Sequence, residues 1–82
     1  MKAQATVRLF FSSEKQLQVI LQALKPEIET SSTHRSKVIM TAKGQGLVLD
    51  FMARDTSALR ASINSYLRLI GVAMDIQKFT DQ

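Results

Sequence analysis

The segment DTSALRASINSYLRLIGVAMDIQKF, residues 55–79, decides how this chain folds. It contains no proline and only one glycine, Gly71, and its apolar residues recur at intervals of three and four. This spacing predicts one long helix from Asp55 to Phe79, because side chains three and four residues apart share a face of an α-helix. Asp55 is the expected N-cap, since its carboxylate can accept hydrogen bonds from the unpaired amides of the first turn.

The long helix carries two apolar stripes. At about 100° per residue, the first stripe comprises Leu59, Ile63, Tyr66, Ile70 and Ala73, with Met74 at its edge. The second stripe lies on the roughly opposite side and comprises Ala58, Ser62, Ser65, Leu69, Val72, Ile76 and Phe79. A domain of 82 residues has a core for one such stripe and is small enough that oligomerisation commonly completes it. We therefore expect the second stripe to bind a partner.

The N-terminal part of the chain predicts one strand and one helix. Apolar residues alternate with more polar ones, with the period of a strand that has one buried face, at Ala3, Ala5, Val7, Leu9 and Phe11. Phe10 interrupts the polar face of this strand. Ser13 and Gln16 form a capping-box pattern at the start of a helix. Pro26 is expected to end that helix, because proline disfavours helical geometry in the preceding residue, and residues 27–36 are expected to form a loop.

Two further strands follow this loop. Inward-facing positions are expected at Val38, Met40 and Ala42 in one strand and at Leu47, Leu49, Phe51 and Ala53 in the next. The short connection Gly44-Gln45-Gly46 predicts a β-hairpin turn. A phosphate-binding loop is the alternative interpretation of these glycines, but such loops join a strand to a helix.

The predicted fold is a single α+β domain over residues 1–82, with the element order β-α-β-β-α. A crossover through the first helix gives a three-stranded antiparallel sheet of order 1-3-2 with both helices on one face. The residues alone do not decide which stripe of the last helix faces this sheet. The sheet has two open edges, so pairing of edges is a second route to a dimer.

The composition excludes several classes of protein. A hydrophobic fraction of 45% with 22% charged residues argues against disorder. The lack of cysteine excludes a disulfide framework and a thiolate metal site. No apolar run reaches the roughly 18 residues that span a membrane, and the N-terminus lacks the pattern of a signal peptide, so we expect a cytoplasmic protein. The net charge of +4 permits an acidic partner such as nucleic acid.

The sequence does not favour catalysis. Its seven carboxylates form no convincing acid–base pair, and no serine lies in a nucleophile-elbow pattern. The single histidine, His34, has no second histidine or cysteine with which to hold a metal ion. We expect no catalytic residue, no metal site and no cofactor.

A set of residues in the second half of the chain resembles a known family. The set comprises Arg35-Ser36 before the hairpin and, on the last helix, Asp55, Ser57, Leu59-Arg60, Asn64, Tyr66-Leu67 and Arg68. These residues resemble the small dimerising subunit of the KEOPS complex in its archaeal form, and the resemblance runs from the first strand to about Asp75. It implies a non-catalytic subunit of the complex that makes threonylcarbamoyladenosine on tRNA.

The resemblance also implies partners. Members of the family are similar in pairing with a second copy or with a paralogous small subunit, and in binding the catalytic ATPase-like subunit through their helices. They thereby bridge two catalytic subunits and support tRNA binding through the whole complex.

The same resemblance places a partner-binding surface on the last helix. Arg60, Asn64 and Arg68 match the motif and are expected to fix the helix in the complex, through hydrogen bonds to the partner or to Arg35-Ser36. The second apolar stripe supplies the remaining contacts, with small residues at one end to allow close approach. The full predicted set is Ala58, Arg60, Asn64, Ser65, Arg68, Leu69, Val72, Ile76 and Phe79.

Two other functions remain open from the sequence. A freestanding KH-like RNA-binding module would use the positive charge on phosphates, but the chain lacks the Gly-x-x-Gly loop of such modules and has few candidate exposed aromatics. A homodimeric scaffold without an RNA role is the other alternative. A salt titration separates them, because binding through phosphates weakens steeply as the salt concentration rises.

Overall fold

The computed structural model describes residues 2–31 and 36–80, with the side chains of residues 2–30 and 36–75. The elements are β1 (Ala3–Phe10), α1 (Glu14–Ser31), β2 (Ser36–Lys43), β3 (Gly46–Ala53) and α2 (Thr56–Thr80). This order confirms the predicted β-α-β-β-α arrangement and the α+β class. The long C-terminal helix is present within one residue of its predicted bounds.

The three strands form one antiparallel sheet with the order β1-β3-β2, as the sequence predicts. The register aligns the apolar faces of the strands. Leu49, for example, lies opposite Val7 on one side and opposite Met40 on the other. Since a shift of one residue would turn every apolar side chain to the opposite face, burial of one face specifies this register.

The β2–β3 hairpin turns at Gly44 and Gln45, with Lys43 paired to Gly46 across it. Gly44 has a φ of +62°, which suits a residue without a Cβ atom. Glycine with positive φ at the first central position is typical of the type II′ turn, whose twist matches that of the strands it joins.

Both helices cover the same face of the sheet, and the core lies between them. The inward-facing residues of β3 are buried, namely Leu47, Leu49, Phe51 and Ala53. The side chains of Leu17, Ile20 and Leu24 on α1 are buried in the same cluster. Ala42 differs from the prediction: it is exposed because it lies on an edge strand next to the turn.

The start of α1 confirms the predicted cap, with a small shift. The amide of Gln16 donates to Ser13 Oγ at 3.1 Å, as expected for an N-cap serine. The Gln16 side chain reaches back one residue further than in the standard capping box. Its Oε1 accepts from the amide and from the hydroxyl of Ser12, both at 3.1 Å.

The predicted end of α1 is wrong. The helix does not stop before Pro26 but continues to Ser31 with the proline inside it. The predicted loop is correspondingly shorter, and residues 32–35, including His34 and Arg35, lie outside the described residues. Ile28 packs against the core, and Thr30 Oγ1 donates to the carbonyl oxygen of Pro26 at 2.9 Å. Partial burial of Ile28 against the core helps to offset the hydrogen bond that proline removes.

Candidate interaction surfaces

The first apolar stripe of α2 faces the sheet. Tyr66, Ile70 and Ala73 are buried, while Leu59, Ile63 and Met74 pack partly against the same core. Tyr66 lies against Phe51 of β3, with ring centroids 5.6 Å apart and planes at 71°. The structure thus decides which stripe closes the domain, a question that periodicity left open.

The second apolar stripe is only partly separate from the core. Leu69 packs against the core cluster, and Ala58 and Ser62 are half-buried. Ser65 and Val72 are exposed, and Val72 keeps 53% of its surface accessible to solvent. The side chains of Ile76 and Phe79 lie outside the described residues. Of the predicted apolar contacts, Val72 is therefore the one that the structure leaves most accessible to a partner.

A polar stripe on α2, made up of Arg60, Asn64, Arg68, Gly71 and Asp75, is exposed along its length. Arg60, Asn64 and Arg68 all face solvent, so the structure brings the three predicted motif residues together on one accessible helix face. Ser36, expected to lie near them, is the half-buried first residue of β2.

Leu67 is an exposed apolar residue to which the sequence interpretation assigned no role. It lies on α2 between the core stripe and the polar stripe, with 42% of its surface accessible. Its position one residue before Arg68 was part of the family motif, but motif matching alone did not show that the side chain is exposed. Together, Leu67 and Val72 place large apolar groups on both flanks of the polar stripe.

The N-terminus of α2 is held by the predicted cap. The amide of Ala58 donates to Asp55 Oδ1 at 2.8 Å, and the amide of Leu59 donates to the carbonyl oxygen of Asp55 at 3.0 Å. A depression of about 460 Å³ lies here, lined by Arg54, Asp55, Ser57 and Ala58. Ala58, one of the predicted partner contacts, thus lies at an indentation rather than on a convex surface.

The face of the sheet that the helices leave uncovered is strongly basic. Alternation along the strands places four cationic residues on it, Lys2, Arg8, Lys37 and Lys43, all exposed. Among the described residues, Asp50 supplies the only carboxylate on this face, and it accepts a hydrogen bond from Thr6 Oγ1 at 2.7 Å. The net charge of this surface, hereafter the open sheet face, is therefore +3.

The described part of the helical layer is electrically balanced by comparison. Its cationic residues are Lys15, Lys25, Arg60 and Arg68, and its acidic residues are Glu14, Glu27, Glu29 and Asp75. The charges of Arg54 and Asp55, which lie between β3 and α2, cancel each other. The two sides of the domain therefore differ in chemistry. The helical side presents neutral and apolar contacts, whereas the open sheet face concentrates positive charge.

Phe10 is the most exposed large apolar residue of the described chain. Its ring keeps 85% of its surface accessible and leans over Gly46, its partner across the strands. Ring atom Cε1 lies 3.3 Å from the point that a Cβ atom on Gly46 would occupy. Beside the ring is a depression of about 230 Å³, whose lining includes Arg8, Lys43 and Val48.

The described residues offer neither a metal-binding cluster nor a membrane-spanning helix. No group of three or more histidine, cysteine, aspartate or glutamate side chains in this part of the chain could hold a metal ion. Neither helix, as far as it is described, is long and apolar enough to cross a membrane.

Comparison with known proteins places the chain in a family. The family model described as "Transcription factor Pcc1" matches residues 4–78. The KEOPS complex subunit Pcc1 of Pyrococcus abyssi is 35% identical over 75 residues, which are 92% of this chain and 92% of that protein. A chain in the crystal structure of the binary complex Gon7-Pcc1 has the same fold, with a TM-score of 0.83, 15% identity and 96% of each chain covered. The chain belongs to the Pcc1 family.

Proposed function

We propose that this protein is a non-catalytic subunit of the KEOPS complex, which makes threonylcarbamoyladenosine on tRNA. The observation that carries the proposal is the 35% identity to the Pyrococcus abyssi subunit over 92% of both chains. The alignment spans nearly the whole domain, so it includes both helices and all three strands.

In this role the protein dimerises and bridges two copies of the catalytic ATPase-like subunit. The helical side supports this proposal through its chemistry. Exposed Val72 and Leu67 flank the polar stripe, so a partner helix can pack against apolar groups on both sides of it. Arg60, Asn64 and Arg68 then add directional hydrogen bonds that select the partner.

The dimensions of α2 also favour a partner on this side. A helix of 25 residues is about 37 Å long, whereas a strand of eight residues spans about 27 Å. The helix is thus longer than the strands it covers. We infer that the length of the helix leaves backbone beyond the sheet for contact with another chain.

Co-purification tests the proposal directly. The protein is co-expressed with a tagged catalytic subunit from the same organism, as wild type and as Val72→Asp. We expect the wild type to co-purify and the variant to be lost, because a carboxylate at a helix-packing position would be buried without a partner. The free energy of unfolding of the variant should change by less than about 0.5 kcal/mol, since Val72 is largely exposed.

Gln4→Asp is the matched control, since it introduces the same charge at an exposed position of β1, on the face that the helices leave uncovered, and should still co-purify. Unfolding of Val72→Asp would instead place this residue in the domain's own core. Light scattering after size exclusion measures self-association, and a monomer at micromolar concentration would contradict the homodimer. Failure of the wild type to bind the catalytic subunit would contradict the KEOPS assignment.

A further inference from the structure

We propose that the open sheet face binds an unpaired segment of RNA, with one base stacked on Phe10 and the adjacent phosphates held by Arg8 and Lys43. The choice of RNA among polyanions rests on the proposed function. The location of the site rests on the charge distribution and on the exposed ring.

The distribution of charge identifies the face. Of the protein's net charge of +4, +3 is concentrated on the open sheet face, while the described helical layer is neutral. Asp50 lies four residue pairs away from the Phe10–Gly46 pair, so its negative charge lowers the positive potential least near the Phe10 ring. Clustered cations of one sign are the electrostatic signature of a surface that binds a polyanion.

Phe10 adds a feature that charge alone does not explain. Rings of this kind on an uncovered sheet stack unpaired bases, because every base has a planar apolar face. Gly46 allows the ring to lie across the neighbouring strand instead of standing away from the sheet. The depression beside the ring has a mostly apolar lining, and Arg8 and Lys43 are among the residues that line it. This arrangement suits a base with phosphates on either side.

The geometry disfavours other occupants. A second copy of the chain bound through the same face would bring two surfaces of charge +3 together, which costs free energy at low dielectric. A base-paired helix would offer no free base to Phe10, since the bases of a duplex are stacked inside it. An acidic protein would satisfy the cations but would not require an exposed ring at this position.

Fluorescence anisotropy with the purified full chain tests the proposal. The probe is a labelled uridine oligomer of about 10 nucleotides, a length in the range that small stacking domains cover. Phe10→Leu keeps an apolar cover over Gly46 but removes the ring, and we expect it to weaken binding about 5- to 150-fold. For Arg8→Gln/Lys43→Gln we expect the slope of log K against log salt to fall by about 1.4, or 0.7 for each lost phosphate contact.

Lys15→Gln/Lys25→Gln is the matched control. It removes the same charge from exposed positions of α1, and we expect it to keep most of the wild-type affinity for the RNA. Equal losses in the control and in the sheet variant would show that only overall charge matters and would overturn the site. The same holds if Phe10→Leu binds like the wild type, or if polyglutamate displaces the RNA at equal charge concentration.

A change of oligomeric state separates a self-association role from RNA binding. If Phe10→Leu converts a dimer to a monomer by light scattering, the face is an interface between copies and the RNA proposal is wrong. Failure of the RNA proposal can also be distinguished from failure of the KEOPS assignment. If the wild type co-purifies with the catalytic subunit but the sheet variants bind RNA as tightly as the wild type, this inference alone is wrong. If the sheet variants lose RNA affinity but the wild type does not co-purify with the catalytic subunit, only the KEOPS assignment is wrong.

Discussion

Phe51 of β3 and Tyr66 of α2 meet edge to face, with ring centroids 5.6 Å apart and an angle of 71° between the ring planes. Both side chains are almost completely buried, at 0% and 2% exposed. The pair joins the central strand of the sheet to the middle of the long helix. It therefore fixes which side of α2 faces inward, and with it which residues remain for partners.

A double-mutant cycle should detect this contact. We expect Phe51→Leu and Tyr66→Leu to lower the free energy of unfolding by amounts that are not additive. The coupling energy should be about 0.5–1.5 kcal/mol, because edge-to-face rings attract beyond the area they bury. Urea denaturation at one fixed protein concentration measures it. Strict additivity would show that the two rings contribute only through burial.

Replacing Asp55 with alanine should destabilise the long helix at its start. The 2.8 Å bond from the amide of Ala58 would be lost, at a cost of about 1 kcal/mol. Asp55→Asn is the control, since its side-chain oxygen can still accept that bond. Urea midpoints of the two variants provide the comparison, and an alanine variant as stable as wild type would mean that water replaces the cap without cost.

Pro26→Ala should stabilise the protein. Pro26 lies inside α1, where it lacks an amide to donate to the carbonyl oxygen of Gln22, one turn earlier. Alanine restores that donor and has the highest helix propensity, so we expect the free energy of unfolding to rise by about 1–3 kcal/mol. The neighbouring substitution Lys25→Ala should change it by only a few tenths. A loss of stability would show that the proline ring makes a packing contact worth more than the restored hydrogen bond.

Gly44→Ala should destabilise the hairpin. The φ of +62° at this position costs a residue with a Cβ atom about 1–2 kcal/mol. Gly44→Asn should lose less, because asparagine tolerates positive φ better than alanine does. Thermal unfolding followed by circular dichroism measures both, with Gln45→Ala as the neighbouring control. Equal stability of the alanine variant would require the turn to change type.

The elements of this protein could be predicted from the sequence because each depends on local periodicity. Alternation in β1, β2 and β3 and the three-to-four spacing in α2 were sufficient for the strands and the long helix, and the sheet order followed from the crossover through the first helix. The end of α1 was predicted wrongly because the rule for proline is also local, whereas the burial of Ile28 that carries the helix past Pro26 depends on the rest of the fold.

The candidate surfaces were predicted less completely. The sequence alone placed Arg60, Asn64 and Arg68 on one helix face, since helical spacing is enough to do so. Only the tertiary structure decided that Leu69 belongs largely to the core, that Val72 remains exposed, and that most of the net positive charge lies on the open sheet face. These properties depend on which face the helices cover and on which strands become neighbours, and both result from contacts between residues far apart in the chain.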